Sequence, residues 1–133
     1  MNNYTQVDVP MTVICRGYYL MRCLGEDAVA LLGEPRRNRD QIRIVHPEDF
    51  FSSGEHFDLI ANVDSLSELG HDLAVQYLKK IYRVCPAFLS INHEANSIRT
   101  IDLLKELGRS YKVFRYPYWM RQGYVEEFVK FQP

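Results

Sequence analysis

Hydrophobic residues along this chain fall into short runs separated by polar punctuation, and the period of each run sorts it into strand or helix. Tyr4 to Val9 is a short extended stretch stopped by Pro10, which cannot donate to a ladder yet suits the first turn of a helix. Met11 to Leu24 places Met11, Ile14, Cys15, Tyr18, Met21 and Leu24 near helical spacing, predicting a helix that buries this face and ends at Gly25. Ala28 to Leu32 and Gln41 to His46 read as strands, closed by Gly33 and Pro47.

Phe57 to Ala61, apolar but for Asp58, reads as a parallel strand buried on both faces. A polar loop and a helix over Asp72 to Cys85 follow, with Leu73, Ala74, Tyr77, Leu78, Ile81 and Cys85 at helical intervals. The order repeats: Ala87 to Ile91 is a strand, NHEAN a loop, and Ser97 to Leu107 a helix with Ile98, Ile101, Leu104 and Leu107 on one face and Gly108 as its cap. Tyr111 to Tyr116 and Tyr124 to Phe131 have no helix between them and are expected to pair antiparallel. The fold class is therefore α/β, a mostly parallel sheet with right-handed crossovers and a C-terminal antiparallel hairpin.

A length of 133 residues with 47% hydrophobic content suits one domain, 1–133. A formal net charge of −1 and a pI near 6.4 supply no field that would attract nucleic acid. The densest basic stretch, PRRNRDQIR with Arg36, Arg37, Arg39 and Arg43, reads as a solvated connector. Cys15, Cys23 and Cys85 are odd in number and lack C-x-x-C spacing, so reduced thiols and a cytoplasmic location are expected, without disulfides or a zinc knuckle. No apolar run approaches the roughly 20 residues that span a bilayer, and MNNYTQVDVP has neither a basic nor an apolar leader region. A membrane partner is not expected.

Ligands of open parallel sheets bind outside the carboxyl ends of the strands. Those positions are polar here: Asp8, then His46 with Asp49, then Asn62, Asp64, Ser65 and Glu68, then Asn92, His93 and Glu94. Each has a plainer reading. Asp8 suits a helix N-cap, Asp49 a turn, and Ser65 with Glu68 a capping box. His93 is an acid/base candidate because an imidazole near its ordinary pKa of about 6.5 accepts a proton at neutral pH, although a loop histidine can simply be solvated. Metal-ligand spacing is absent, and no metal is expected. In the hairpin, Tyr116, Tyr118, Trp119 and Tyr124 either cover the sheet or, flanked by Arg121, Glu126 and Glu127, form a wall for a sugar ring.

The segments VDVP, GYYL, VALLGE, FDLIANVDSLSEL, FLSINHEAN and RYPYWMRQGYVEEF, in that order over nearly the whole chain, resemble the sugar O-methyltransferases. These are class I, Rossmann-like enzymes that use S-adenosylmethionine. The resemblance implies that fold and cofactor and a small-molecule or glycan acceptor. It places Asp8 at the cofactor ribose, Asp49 near adenine, and Asn62, Asp64 and Glu68 facing donor and acceptor. The reading of the residues themselves adds His93 to Asp64 and Glu68 as catalytic groups, and makes Glu94, Trp119, Arg121, Tyr124 and Glu127 the expected acceptor-binding set.

If Tyr4 to Val9 is the family's second strand, the first βα unit with its glycine-rich turn is missing; the chain has no G-x-G. A second copy or a complementing N-terminal segment would then complete the sheet. In another register, strands starting at Tyr4, Ala28, Ile42, Phe57, Ala87, Tyr111 and Tyr124 make up the full seven, and Glu34 becomes the ribose acid. The expected function is methyl transfer from S-adenosylmethionine to a sugar hydroxyl. Its alternatives are a non-catalytic remnant or split-enzyme half that binds a partner or carbohydrate, and adenosine binding without methyl transfer.

Overall fold

The structure, a computed structural model, describes residues 4–132. The reading of MNNYTQVDVP as leaderless rests partly on residues 1–3, outside that range. The chain packs as two compact units, Met1–Ser53 and Gly54–Pro133, each around its own sheet. Strand order and helix placement make it α/β, mostly parallel with an antiparallel C-terminal pair, as the periodicity predicts.

The first unit contains β1 (Tyr4–Val7), α1 (Pro10–Leu24), a 3-10 turn at Glu26–Ala28, β2 (Val29–Ala30), β3 (Ile42–Val45) and α2 (Pro47–Ser52). β3 is the middle strand, with β1 and β2 parallel on either side. The strand expected over Ala28 to Leu32 shrinks to two residues, because the 3-10 turn consumes Ala28 and Gly33, at φ 80°, turns the chain away. HPEDFF is a short helix rather than a bare turn: Pro47 opens it, and the Asp49 carboxylate accepts the His46 N–H at 3.2 Å.

α1 forms where predicted but buries a different face. Met11, Ile14 and Tyr18 are 73%, 65% and 66% exposed, and Cys15 and Leu24 are exposed too. The helix instead presents Val13 and Gly17 to the sheet, and Val13, Val29 and Ile44 form the unit's core with Leu20, Met21, Ala28 and Leu31 packed around them. Gly17 explains the choice. A Cβ there would lie 2.7 Å from Leu31 Cδ2 and 3.6 Å from Ile44 Cδ1, so the missing side chain lets the helix settle against the sheet on this side.

The second unit runs β4 (Ile60–Val63), a 3-10 turn at Leu66–Glu68, α3 (His71–Val84), β5 (Ala87–His93), α4 (Thr100–Leu107), β6 (Tyr111–Pro117) and β7 (Tyr124–Phe131). Its sheet order is β4-β5-β7-β6, with β4 parallel to β5 and β7 antiparallel to both neighbours. β4 starts later than the apolar run and is not buried on both faces: Ala61 and Val63 are exposed, because β4 is an edge strand of this sheet. Ser65 caps nothing with its side chain, so the expected capping box with Glu68 is absent; Glu68 N–H bonds the Ser65 carbonyl instead. α4 begins at Thr100, three residues later than predicted, and ends at Gly108 in the left-handed region. Phe88, Leu78, Leu104 and Val129 are fully buried and make this unit's core.

α3 and α4 pack together and are joined at the surface by His71 Nε2, 2.8 Å from Glu106 Oε2. Asp72 first, then Glu106, holds the imidazolium above its ordinary pKa. Because the folded-state pKa is raised, the stabilisation is fully present below about pH 6.5 and is lost as pH rises through the folded pKa. Titration by NMR should give His71 a pKa above about 6.5, and Glu106→Gln should lower it. The burial of α1 has its own test: Ile44→Ala should cost about 2–5 kcal/mol in denaturant unfolding, and Ile14→Gln no more than about 0.5 kcal/mol. The reverse ranking would restore the predicted face.

Candidate functional site

At the carboxyl ends of β4 and β5 the second unit carries a network of short polar side chains. β5 alternates, so Phe88, Ser90 and Asn92 share the face toward α4, where the first is core and the other two are buried and polar. Ser90 Oγ lies 2.7 Å from Thr100 Oγ1 at the start of α4. Asn92 donates to Ser90 Oγ at 2.8 Å and to Asn62 Oδ1 at 3.0 Å, while its own oxygen accepts from Ser67 Oγ at 3.0 Å. Asn62 also accepts from Leu66 N–H and donates to Ser65 Oγ, and Asn96 donates to Ser67 at 2.8 Å. One buried amide therefore connects the loop after β4, the loop after β5 and α4. Ser67, Ser90 and Thr100 were not singled out from the sequence. The polar pair at Ser90 and Asn92, two apart in an otherwise apolar strand, was the available signal.

Two arginines then hold carboxylates above this layer. Asp64, the residue after β4, sits at φ 55°, the only non-glycine residue with positive φ among those described. Its carboxylate takes the Arg121 guanidinium and the Tyr124 hydroxyl, the latter at 3.1 Å. Arg121 lies 4.0 Å from the centre of the Tyr124 ring. Hydrogen bonding to Asp64 is the main cause that raises the pKa of both Arg121 and Tyr124. The second arginine, Arg115, is shared by Glu94 and by Glu127 Oε1 at 3.0 Å. Glu127 is buried, and loss of hydration pushes its carboxyl upward against the pull of Arg115.

The predicted residues of this unit thus divide into two clusters, Asp64 with Arg121 and Tyr124, and Glu94 with Glu127. His93 stands edge-on to Tyr124, ring centres 5.1 Å apart. Its Nδ1 accepts the Ala95 N–H at 3.1 Å, which leaves the neutral ring's proton on Nε2. Nε2 in turn packs on Gly123, where a Cβ would come within 2.5 Å. Glu68 is exposed, and its charge acts on Tyr124. Trp119 is 86% exposed at the hairpin tip.

In the first unit, Asp8 Oδ1 accepts the Val9 N–H at 2.9 Å and Oδ2 pairs with Arg16 at 2.8 Å. Val9, not Asp8, is the N-cap of α1, and no side chain caps that helix. Asp49 belongs to the α2 cap, and Glu34, the acid of the alternative register, accepts the Leu31 N–H at 3.1 Å. The four arginines of the basic stretch do not act as one: Arg37 pairs with Asp27, and Arg36 donates to the Tyr4 carbonyl and Thr5 hydroxyl. Among the described residues, no three His, Cys, Asp or Glu side chains gather to hold a metal ion, and no helix is long and apolar enough to cross a membrane.

No protein-family model and no curated protein matches this sequence. Solved structures do match its fold. Mitomycin 7-O-methyltransferase MmcR aligns over 98% of this chain and 42% of its own, with TM-score 0.65 and 14% identity. PigF, solved with SAH, aligns over 97% of this chain and 48% of its own, with TM-score 0.59 and 12% identity. The methyltransferase domain of bacterial CtHen1 aligns over 99% and 79%, with TM-score 0.59 and 11% identity. The chain thus spans less than half the length of the first two, and the likeness is one of methyltransferase-type fold.

Replacing Asn92 strands its partners in a dry layer. Asn92→Ala should cost about 1–3 kcal/mol in chemical denaturation. A loss below about 0.5 kcal/mol would mean that water replaces the amide without penalty.

Proposed function

We propose that this chain is of the S-adenosylmethionine-dependent methyltransferase kind and serves transfer of a methyl group to the oxygen of a sugar hydroxyl. The observation that carries the reading is the β4-β5-β7-β6 sheet, with its reversed β7 and its polar strand ends, in a fold shared with a 7-O-methyltransferase and with a protein solved with SAH. Three free cysteines support a reducing, cytoplasmic setting.

The first unit has donors that fit part of such a cofactor. The N-terminus of the 15-residue α1 carries no side-chain cap, so its early amide N–H groups and positive pole suit the carboxylate of an amino-acid tail. Asp8, just before it, suits ribose hydroxyls, and Asp49 adenine. When bound, S-adenosylmethionine supplies an electrophilic methyl group on a sulfonium. In the second unit we assign Asp64 to accept the hydrogen bond of the attacking hydroxyl, with Glu68 adding negative potential. His93 we assign to orienting Tyr124, because its free nitrogen is the protonated one.

A second reading, binding without turnover, is favoured by one feature: with Asp8 at the ribose, the glycine-rich turn that lets a backbone approach the cofactor is missing, and the chain has no G-x-G. Calorimetric titration of the folded chain with S-adenosylmethionine and S-adenosylhomocysteine separates the two. Micromolar binding is expected, weakened at least about tenfold, or about 1.4 kcal/mol, by Asp8→Asn. A folded chain that binds neither compound supports the non-catalytic reading.

A further inference from the structure

Arg121 occupies a seat that has the chemistry of a cation-binding site. One of its nitrogens bonds the Asp64 carboxylate, its guanidinium carbon stands 4.0 Å from the Tyr124 ring centre, and Tyr124 bonds the same carboxylate from below. An aromatic face closed on one side by a carboxylate selects a desolvating cation over a neutral hydroxyl, because only a cation gains from both the ring quadrupole and the ionised oxygen. The occupant is easily exchanged. Arg121 is half exposed, on the turn between β6 and β7, and a surface ion pair of this kind contributes little net stability. Glu68 deepens the negative potential on Tyr124, and the other arginine nearby in sequence, Arg115, is already shared between Glu94 and Glu127.

We propose that the seat made by Asp64 and Tyr124 receives a protonated amine of the acceptor, displacing Arg121, so that the acceptor is an amino-substituted sugar or polyol. This rests on the methyl-transfer reading for the word acceptor; the cation seat itself does not. In the free chain Arg121 is an internal competitor, and its release on binding uncovers the Asp64 carboxylate for the ligand.

The test is calorimetric titration of the full chain with D-glucosamine and with D-glucose at about pH 6, where the amine is protonated. Glucosamine should give a saturable change, with glucose at least about tenfold weaker. Arg121→Gln should tighten glucosamine by about threefold to tenfold by removing the competitor, while Asp64→Asn, which tolerates the positive φ, should weaken it at least tenfold. Equal responses to the two sugars, no response to either, or weaker glucosamine binding by Arg121→Gln would overturn the proposal. Titrating S-adenosylhomocysteine into the same samples distinguishes the two failures. Amine binding without cofactor binding leaves the seat and removes the methyl-transfer reading, and cofactor binding with equal sugar responses does the opposite.

Discussion

The Asn92 amide is the constraint on which the second unit's functional end depends. Its two N–H groups and its oxygen are all engaged in a layer that water barely reaches, so its partners are fixed to within a hydrogen-bond length of one another. Through Asn62 and Ser67 it holds the loop after β4, and through Ser90 it reaches Thr100 at the first turn of α4. The left-handed backbone at Asp64 persists because that loop is held on both sides. Without the buried amide, the Asp64 carboxylate would have no fixed address.

Charge is handled in the same unit by sharing. Arg115 stands between Glu94 and a buried Glu127, and Arg121 between Asp64 and the face of Tyr124. The two arrangements differ in exposure and hence in role. Glu127 is shielded from solvent, where an unpaired carboxylate would be costly, so Arg115 is committed to it. Arg121 lies half in water, where an ion pair gains little, and it is free to exchange. Two arginines of one aromatic stretch thus end in one structural and one exchangeable pair.

The first unit turns on an absent side chain. Periodicity alone made the Met11, Ile14, Tyr18 stripe of α1 its core face, because those residues follow the i, i+3, i+7 spacing of one helix face. Packing is decided by approach distance as well as by hydrophobicity, and the notch at Gly17 admits the tip of Leu31, which a side chain there would push aside, beside Ile44. The same lesson applies at β4. Its apolar run reads as a strand buried on both sides, yet an edge position leaves alternate residues in solvent.

Local signals were enough for what depends on neighbours in the chain. Pro10, Gly25, Pro47 and Gly108 punctuate the helices, the spacing of Ala74, Leu78 and Ile81 buries α3, and a hairpin of β6 and β7 follows from two strands with no helix between them. The polar residues at the strand ends were legible as a group for the same reason. Their pairing was not. Asp64 meets Arg121 and Tyr124 across a separation of some sixty residues, Glu127 meets Arg115 only through the β6–β7 register, and His93 becomes a donor because of a backbone N–H two residues on. Those contacts are set by register, by the reversed β7 and by the buried amide, which depend on long-range closure. The chain by itself determined which groups stand at the rim; only tertiary structure decided which of them neutralise one another, because a charge's partner is chosen by distance in space rather than along the sequence.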